Sequence, residues 1–135
     1  MSNLDKNYIL HLDLVKKVKN DKMEFSLSDN GTSVFYVDFT KNKQSLKLED
    51  EQVILYIVKP NKEDSLSMKL VFDEDMKLFY CSLPNEFKDE EGEYIGQIVI
   101  INSSTEKIIV PNNIYYTVKS DILAEIGDID LTLFS

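Results

Sequence analysis

The chain has 135 residues, and 24 acidic against 15 basic side chains leave a formal net charge of −9. That length fits one domain of ordinary size, able to bury about two thirds of the surface its unfolded form exposes without staples. With 43% hydrophobic residues it is too apolar for a disordered chain, and its acidic field argues against nucleic acid and anionic membranes as partners.

A single cysteine, Cys81, leaves no internal disulfide, and with a single histidine, His11, no thiolate or imidazole metal cage arises within one chain. No run approaches the ~18 apolar residues of a spanning helix. The N-terminal stretch shows no apolar core flanked by a cleavage site, so the expectation is folding in a reducing cytoplasm without a signal peptide.

Strand patterns dominate from the start. Ile9-Leu10-His11-Leu12-Asp13-Leu14 alternates and sets His11 with Ile9 and Asp13 on the polar face. Met23 to Ser28 alternates without a break, and Ser28-Asp29-Asn30-Gly31-Thr32 has strong turn chemistry, because Asn and Gly tolerate positive φ. From Thr32 to Phe39, Phe35, Val37 and Phe39 share the face better suited to a core, with Val34, Tyr36 and Asp38 opposite. Lys41 to Ser45 reads as a polar loop. Val53 to Val58 is an unbroken apolar run closed by Lys59-Pro60-Asn61, as in a central strand covered on both faces. Ser67 to Asp73 and Leu78 to Leu83, joined by Asp73-Glu74-Asp75, read as a hairpin.

Pro84 to Gly92 suits a short helical turn closed by Gly92. Tyr94 to Ile101 follows, then Lys107 to Val110, a break at Pro111-Asn112-Asn113, and Ile114 to Lys119 as the last strand. About eight short strands with little helix indicate an all-β sandwich or barrel over residues 1–119. Residues 120–135 form a C-terminal tail. Ser120 is placed to cap a short helix, and Ile122, Ile126, Ile129 and Leu133 have heptad spacing, yet Gly127 interrupts it and Ile129, Leu131 and Leu133 alternate as a strand would. Two readings stand: a tail packed on its own domain, or the start of an oligomerising segment with those four residues as interface.

Gly92-Glu93-Tyr94 has the layout of a tyrosine corner, in which the hydroxyl bonds backbone a few residues upstream and fixes a crossover between sheets. The rest of the chemistry reads as inert. His11 has no neighbouring nucleophile and acid in a catalytic motif. Cys81 has no basic flank to make it a thiolate. The acidic runs Asp73-Glu74-Asp75 and Lys88-Asp89-Glu90-Glu91 lack calcium-loop spacing, and four glycines form no phosphate loop. The expectation is no catalytic site, no metal and no cofactor.

The order of several segments is more specific than any one of them. Phe25-x-Leu27-x-Asp29-Asn30-Gly31-Thr32-Ser33-Val34 is followed by Phe39-Thr40-Lys41-Asn42, Leu46-x-Leu48, Val53 to Asn61, Leu78-Phe79-Tyr80-x-Ser82-Leu83-Pro84, and Glu91-Gly92-Glu93-Tyr94-Ile95-Gly96-Gln97-Ile98. Over roughly residues 8–119 this resembles the N-terminal immunoglobulin-like domain of phage baseplate upper proteins, the BppU family of siphophages of low-GC Gram-positive bacteria. The resemblance implies an immunoglobulin-like antiparallel β-sandwich. It also implies a virion structural part rather than an enzyme, with other baseplate proteins (the tail hub and a receptor-binding protein) and copies of itself as partners. Longer family members continue into oligomerising helical segments; the heptad-like residues stand where that continuation would start, and a shortened chain or prophage remnant is among the readings.

The docking patch itself is not legible. Edge strands and the terminal segment Tyr8 to Leu14 are physical candidates, since an unpaired ladder invites β-addition. The alternative function is a small carbohydrate- or ligand-binding sandwich of a bacterial or prophage cell-wall system. An assembly module should expose an apolar patch above a few hundred Å². A carbohydrate binder should show a Tyr-lined groove, with Tyr36, Tyr56 or Tyr115 coplanar and solvent-facing. An enzyme would need paired carboxylates in a cleft, from among Asp73, Asp75, Glu90 and Glu91.

Overall fold

Alternation sorts the side chains into an inner set, Leu10, Leu12, Phe25, Phe35, Val37, Leu55, Ile57, Tyr94, Ile98 and Tyr116 among them, and that set is buried in one core. The computed structural model describes residues 8–48 and 50–122. Their strands are β1 (Tyr8–Asp13), β2 (Met23–Ser26), β3 (Val34–Lys41), β4 (Gln44–Ser45), β5 (Gln52–Val58), β6 (Ser65–Lys69), β7 (Val71–Asp73), β8 (Leu78–Ser82), β9 (Gly92–Ile101) and β10 (Lys107–Lys119). Two five-stranded sheets pack face to face: sheet A in the order β1-β3-β8-β7 with β4 on β3, and sheet B in the order β2-β10-β9-β5-β6. This is the immunoglobulin-like β-sandwich expected.

The strand count is ten among the described residues, not about eight, and the differences have local causes. The segment expected as one strand from Ser67 to Asp73 changes sheets at Leu70, whose N–H donates to Val53 O at 2.8 Å. β6 therefore pairs with β5, whereas β7 pairs with β8. The break expected at Pro111-Asn112-Asn113 is instead a bulge inside β10, since the register with β9 shifts between Ile109 and Asn113. Proline has no N–H to give to a ladder, and a bulge asks for none. The turn from Pro84 is a 3-10 turn at Asn85–Phe87 that ends at Lys88, so Gly92 opens β9 rather than closing a helix. Two pairings are parallel, β1 with β3 and β2 with β10. The N-terminal stretch thus lends one strand to each sheet.

Asp13 ties the start of this arrangement to the β3–β4 turn. Its carboxylate is fully buried. It accepts the N–H groups of Lys43 at 2.8 Å, Val15 at 2.9 Å, Lys16 at 3.0 Å and Asn42 at 3.2 Å, and the Thr40 hydroxyl at 2.7 Å. Asn42 and Lys43 both have positive φ, so the polar loop of the sequence is a tight two-residue hairpin held from outside by Asp13. The Lys43 N–H above all, then the Thr40 hydroxyl, hold the Asp13 carboxyl well below the usual carboxylate range. A carboxyl whose pKa falls on folding stabilises the fold above its unfolded value of about 3.9 and loses that contribution as pH drops toward the folded value. Urea midpoints should accordingly be lower for Asp13→Asn than for the parent at pH 7, with the gap closing below about pH 4. A gap unchanged across that range would contradict the assignment.

The free edge of β1 is met by a side chain at His11. Asn20 Oδ1 accepts the His11 N–H at 2.8 Å, and Asn20 Nδ2 donates to His11 O at 2.8 Å. From the β10 bulge, Asn112 Oδ1 accepts the Val18 N–H at 2.8 Å, and its Nδ2 donates to Val18 O. The Asn20 amide stands in for a neighbouring strand at His11 alone, and Asn112 braces Val18 in the segment that follows β1.

Candidate docking face

The outer surface of sheet B carries the largest group of exposed apolar side chains that the pairing brings together. Register places them in rows across β6, β5, β9 and β10. One row is Lys69–Ile54–Val99–Ile109, the next is Ser67–Tyr56–Gln97–Asn113, and the third is Ser65–Val58–Ile95–Tyr115. Gln52–Ile101–Lys107 closes one end, and Glu93–Thr117–Glu24 closes the other. Tyr56 is 46% exposed, Val58 43%, Ile95 38%, Ile109 55% and Tyr115 41%. The strand β5 is central, as expected, but only its inner residues Val53, Leu55 and Ile57 are covered; the expectation of cover on both faces is wrong. The unbroken apolar run in β5 is the signal for this face, and the expectation of cover on both sides takes it for burial.

The centre of the face is uncharged. Lys69 and Lys107 stand at one end. At the other, Glu93 meets Lys22 at 3.3 Å and Glu24 meets Lys119 at 3.0 Å. An apolar centre with tyrosines and a polar rim is the anatomy of a protein contact.

The chain passes from sheet A to sheet B at a corner between β8 and β9. The Tyr94 hydroxyl donates to Glu90 O at 3.0 Å and accepts the Glu90 N–H at 3.1 Å. The Tyr116 hydroxyl donates to Phe87 O at 2.5 Å, and the two tyrosine rings stack at 4.7 Å and 9°. Lys59 Nζ, with its side chain 10% exposed, meets Asp89 at 2.7 Å and Glu90 at 3.5 Å. The Asp89 hydrogen bond leads in raising the Lys59 pKa and keeps the ammonium charged. Gly92 lies at φ +138°, against Pro60.

The other candidate residues are dispersed. His11 lies exposed on the outer face of sheet A, 3.3 Å from Asp38. Cys81 is buried in β8, its thiol pushed up to about 12 by that burial. Asp73 Oδ1 accepts the N–H groups of Asp75 and Met76 within its own turn, far in sequence from Glu90 at the corner. Among the described residues no three His, Cys, Asp or Glu side chains form a group that could hold a metal. Tyr36 is buried, 5.4 Å from Tyr80 at 57°. Tyr56 and Tyr115 occupy different rows with β9 between them. A groove of about 400 Å³ opens beside β1, lined by Leu12, Val18, Asn20, Asn112, Ile114 and Tyr115. Of its three amides Asn20 and Asn112 hold backbone and Asn113 Nδ2 lies 3.4 Å from the Tyr115 hydroxyl; Lys19, Asp21, Lys22 and Glu93 also line it. Ile122 is 72% exposed, and Ile126, Ile129 and Leu133 lie outside the described residues.

A sandwich of two such sheets, with a tyrosine anchored at the crossover, belongs to the immunoglobulin-like class. Its fold is similar to that of the N-terminal domain of phage TP901-1 ORF48, with a TM-score of 0.66 over 84% of this chain and 98% of that one, at 12% identity. The BppU N-terminal domain family matches residues 6–131, and the chain belongs to that family. The match runs past Lys119 and takes in Ile122, Ile126 and Ile129. With the family comes the coarse assignment, a structural component of a phage baseplate. No sequence among curated proteins matches.

Proposed function

We propose that the chain is a non-enzymatic link in a phage tail baseplate, joining receptor-binding parts to the tail hub by protein–protein contacts made through the outer face of sheet B. The observation that carries this reading is the three-row apolar face on β5, β9 and β10. An acidic chain without a partner for that face would leave Ile54, Tyr56, Val58, Ile95, Val99, Ile109 and Tyr115 in water at a cost in solubility. The family and its baseplate setting support the same reading. Folding in the host cytoplasm and release within the virion fit a core built without disulfides.

The test is incorporation. Tyr56→Lys with Ile95→Lys alters two outward side chains and leaves the core untouched, so circular dichroism should match the parent. Co-expressed with the tail genes of its phage, the parent should co-purify with tails, and the doubly substituted chain should be lost from them. Incorporation of the variant at the parental level would overturn the assignment of this face.

A further inference from the structure

We infer that the outer edge of β6 takes up an extended segment of another baseplate protein as an added strand, with apolar residues beside Leu66 and Met68 and a carboxylate beside Lys69. The inference rests on the baseplate setting and not on the outer face of sheet B. The pairing shows which backbone groups face this edge. Leu70 N–H donates to Val53 O at 2.8 Å and Asp64 O accepts the Lys59 N–H at 3.1 Å, so the even-numbered residues of β6 point toward β5. Alternation then turns the N–H and C=O groups of Ser65, Ser67 and Lys69 outward. Among the described residues nothing bonds these groups.

The other edges offer no such row. Leu27 N–H donates to Lys119 O at 3.0 Å, which leaves Glu24 and Ser26 as the outward residues of β2. The Tyr8 hydroxyl accepts the Glu24 N–H and donates to Glu24 O, both at 3.2 Å. Ser26 N–H donates to Asp29 Oδ2 at 3.0 Å, and Ser26 O accepts the Asp29 N–H at 3.1 Å. In β1, Asn20 holds both groups of His11 at the centre of the strand. In β7, Lys77 N–H donates to Asp73 O, so Phe72 alone turns outward, and β4 has only two residues. Proteins blunt open edges because they invite pairing; this fold blunts β1 and β2 and leaves β6 open over five residues.

The side chains of β6 also suit a neighbour. Leu66 and Met68 are half-buried against the core, so apolar residues of an added strand would extend that core. On the other side Ser65, Ser67 and Lys69 are exposed, and Lys69 has no ion pair among the described residues. One lysine at the last position does not close a ladder, but it selects a segment that brings a carboxylate there. In such additions main-chain bonds supply affinity and alternate side chains supply specificity.

Hydrogen exchange tests this on the full chain, free and in tails purified after co-expression, read residue by residue through electron-transfer fragmentation. In the free chain Ser65, Ser67 and Lys69 should exchange fast, and Leu66 and Met68 slowly. In tails the first three should slow by about tenfold or more. Ser67→Pro removes one outward N–H and spares the ladder to β5, so its urea midpoint should stay near the parent's while its recovery in tails falls severalfold. Should that variant unfold, exchange in the parent decides alone. Edge amides that stay fast in tails, or a folded Ser67→Pro chain recovered at the parental level, would overturn the inference. This reading and that of the outer face fail separately. Slow edge amides in tails with normal incorporation of the Tyr56→Lys, Ile95→Lys chain remove the face and keep the edge. Loss of that chain from tails while the parent's edge amides stay fast removes the edge and keeps the face.

Discussion

Gly92→Ala should lower stability by about 3 kcal/mol or more. Gly92 has φ +138°, where a Cβ is strained regardless of its surroundings. Here the surroundings are also full: the added carbon would stand 2.7 Å from Pro60 Cβ and 2.9 Å from Pro60 Cγ. Pro60 cannot easily give way. Its ring is rigid, and the preceding Lys59 is held by Asp89 at 2.7 Å and through its backbone N–H by Asp64 O at 3.1 Å. Relief must come from moving the first residues of β9, which begins at Gly92 and carries Glu93 and Ile95 onto the docking face. Urea unfolding of the variant should show a much lower midpoint with an unchanged slope. A midpoint equal to the parent's would mean that the Gly92–Pro60 contact does not constrain the corner.

The parts of the fold legible in the sequence are those where a local pattern has one structural reading. Met23 to Ser26 and Phe35 to Phe39 alternate, and their inner residues are buried as expected. Gly92-Glu93-Tyr94 stood out because a glycine two residues ahead of an inward tyrosine at a strand start has few uses. The sheet change at Leu70 left no such trace. Met68, Leu70 and Phe72 keep the same phase across it, because a strand that crosses from one sheet to the other at the sandwich edge keeps the same side toward the core. The bulge in β10 was misread because proline and two asparagines describe a turn and a bulge equally well. The parallel partners of β1 and β2 depend on contacts between residues far apart in the chain, which no window of sequence contains. The docking face was visible only as a composition, since an apolar outer face and a covered one have the same residues; exposure, not sequence, distinguishes them.

The second large effect concerns the tyrosine pair behind the corner. Tyr94→Phe keeps the ring and removes a hydroxyl that serves both the N–H and the O of Glu90, so it should cost about 1–3 kcal/mol. Tyr94→Ala also removes a fully buried ring stacked on Tyr116, and the cavity should raise the cost to about 3–5 kcal/mol. The difference between the two variants separates the anchor from the packing. Tyr116→Phe tests the other end of the same strap, since its hydroxyl holds Phe87 O, three residues before Glu90. If the strap moves as one body, releasing either end weakens what the other end gains by holding it, and the double variant Tyr94→Phe, Tyr116→Phe should lose less than the sum of the single losses. Strict additivity in the urea midpoints would mean that Phe87 and Glu90 are held independently. The corner would then be two separate fastenings rather than one crossover that sets the angle between the sheets, and the outer face of sheet B would owe its geometry to the ladder between β5, β9 and β10 alone.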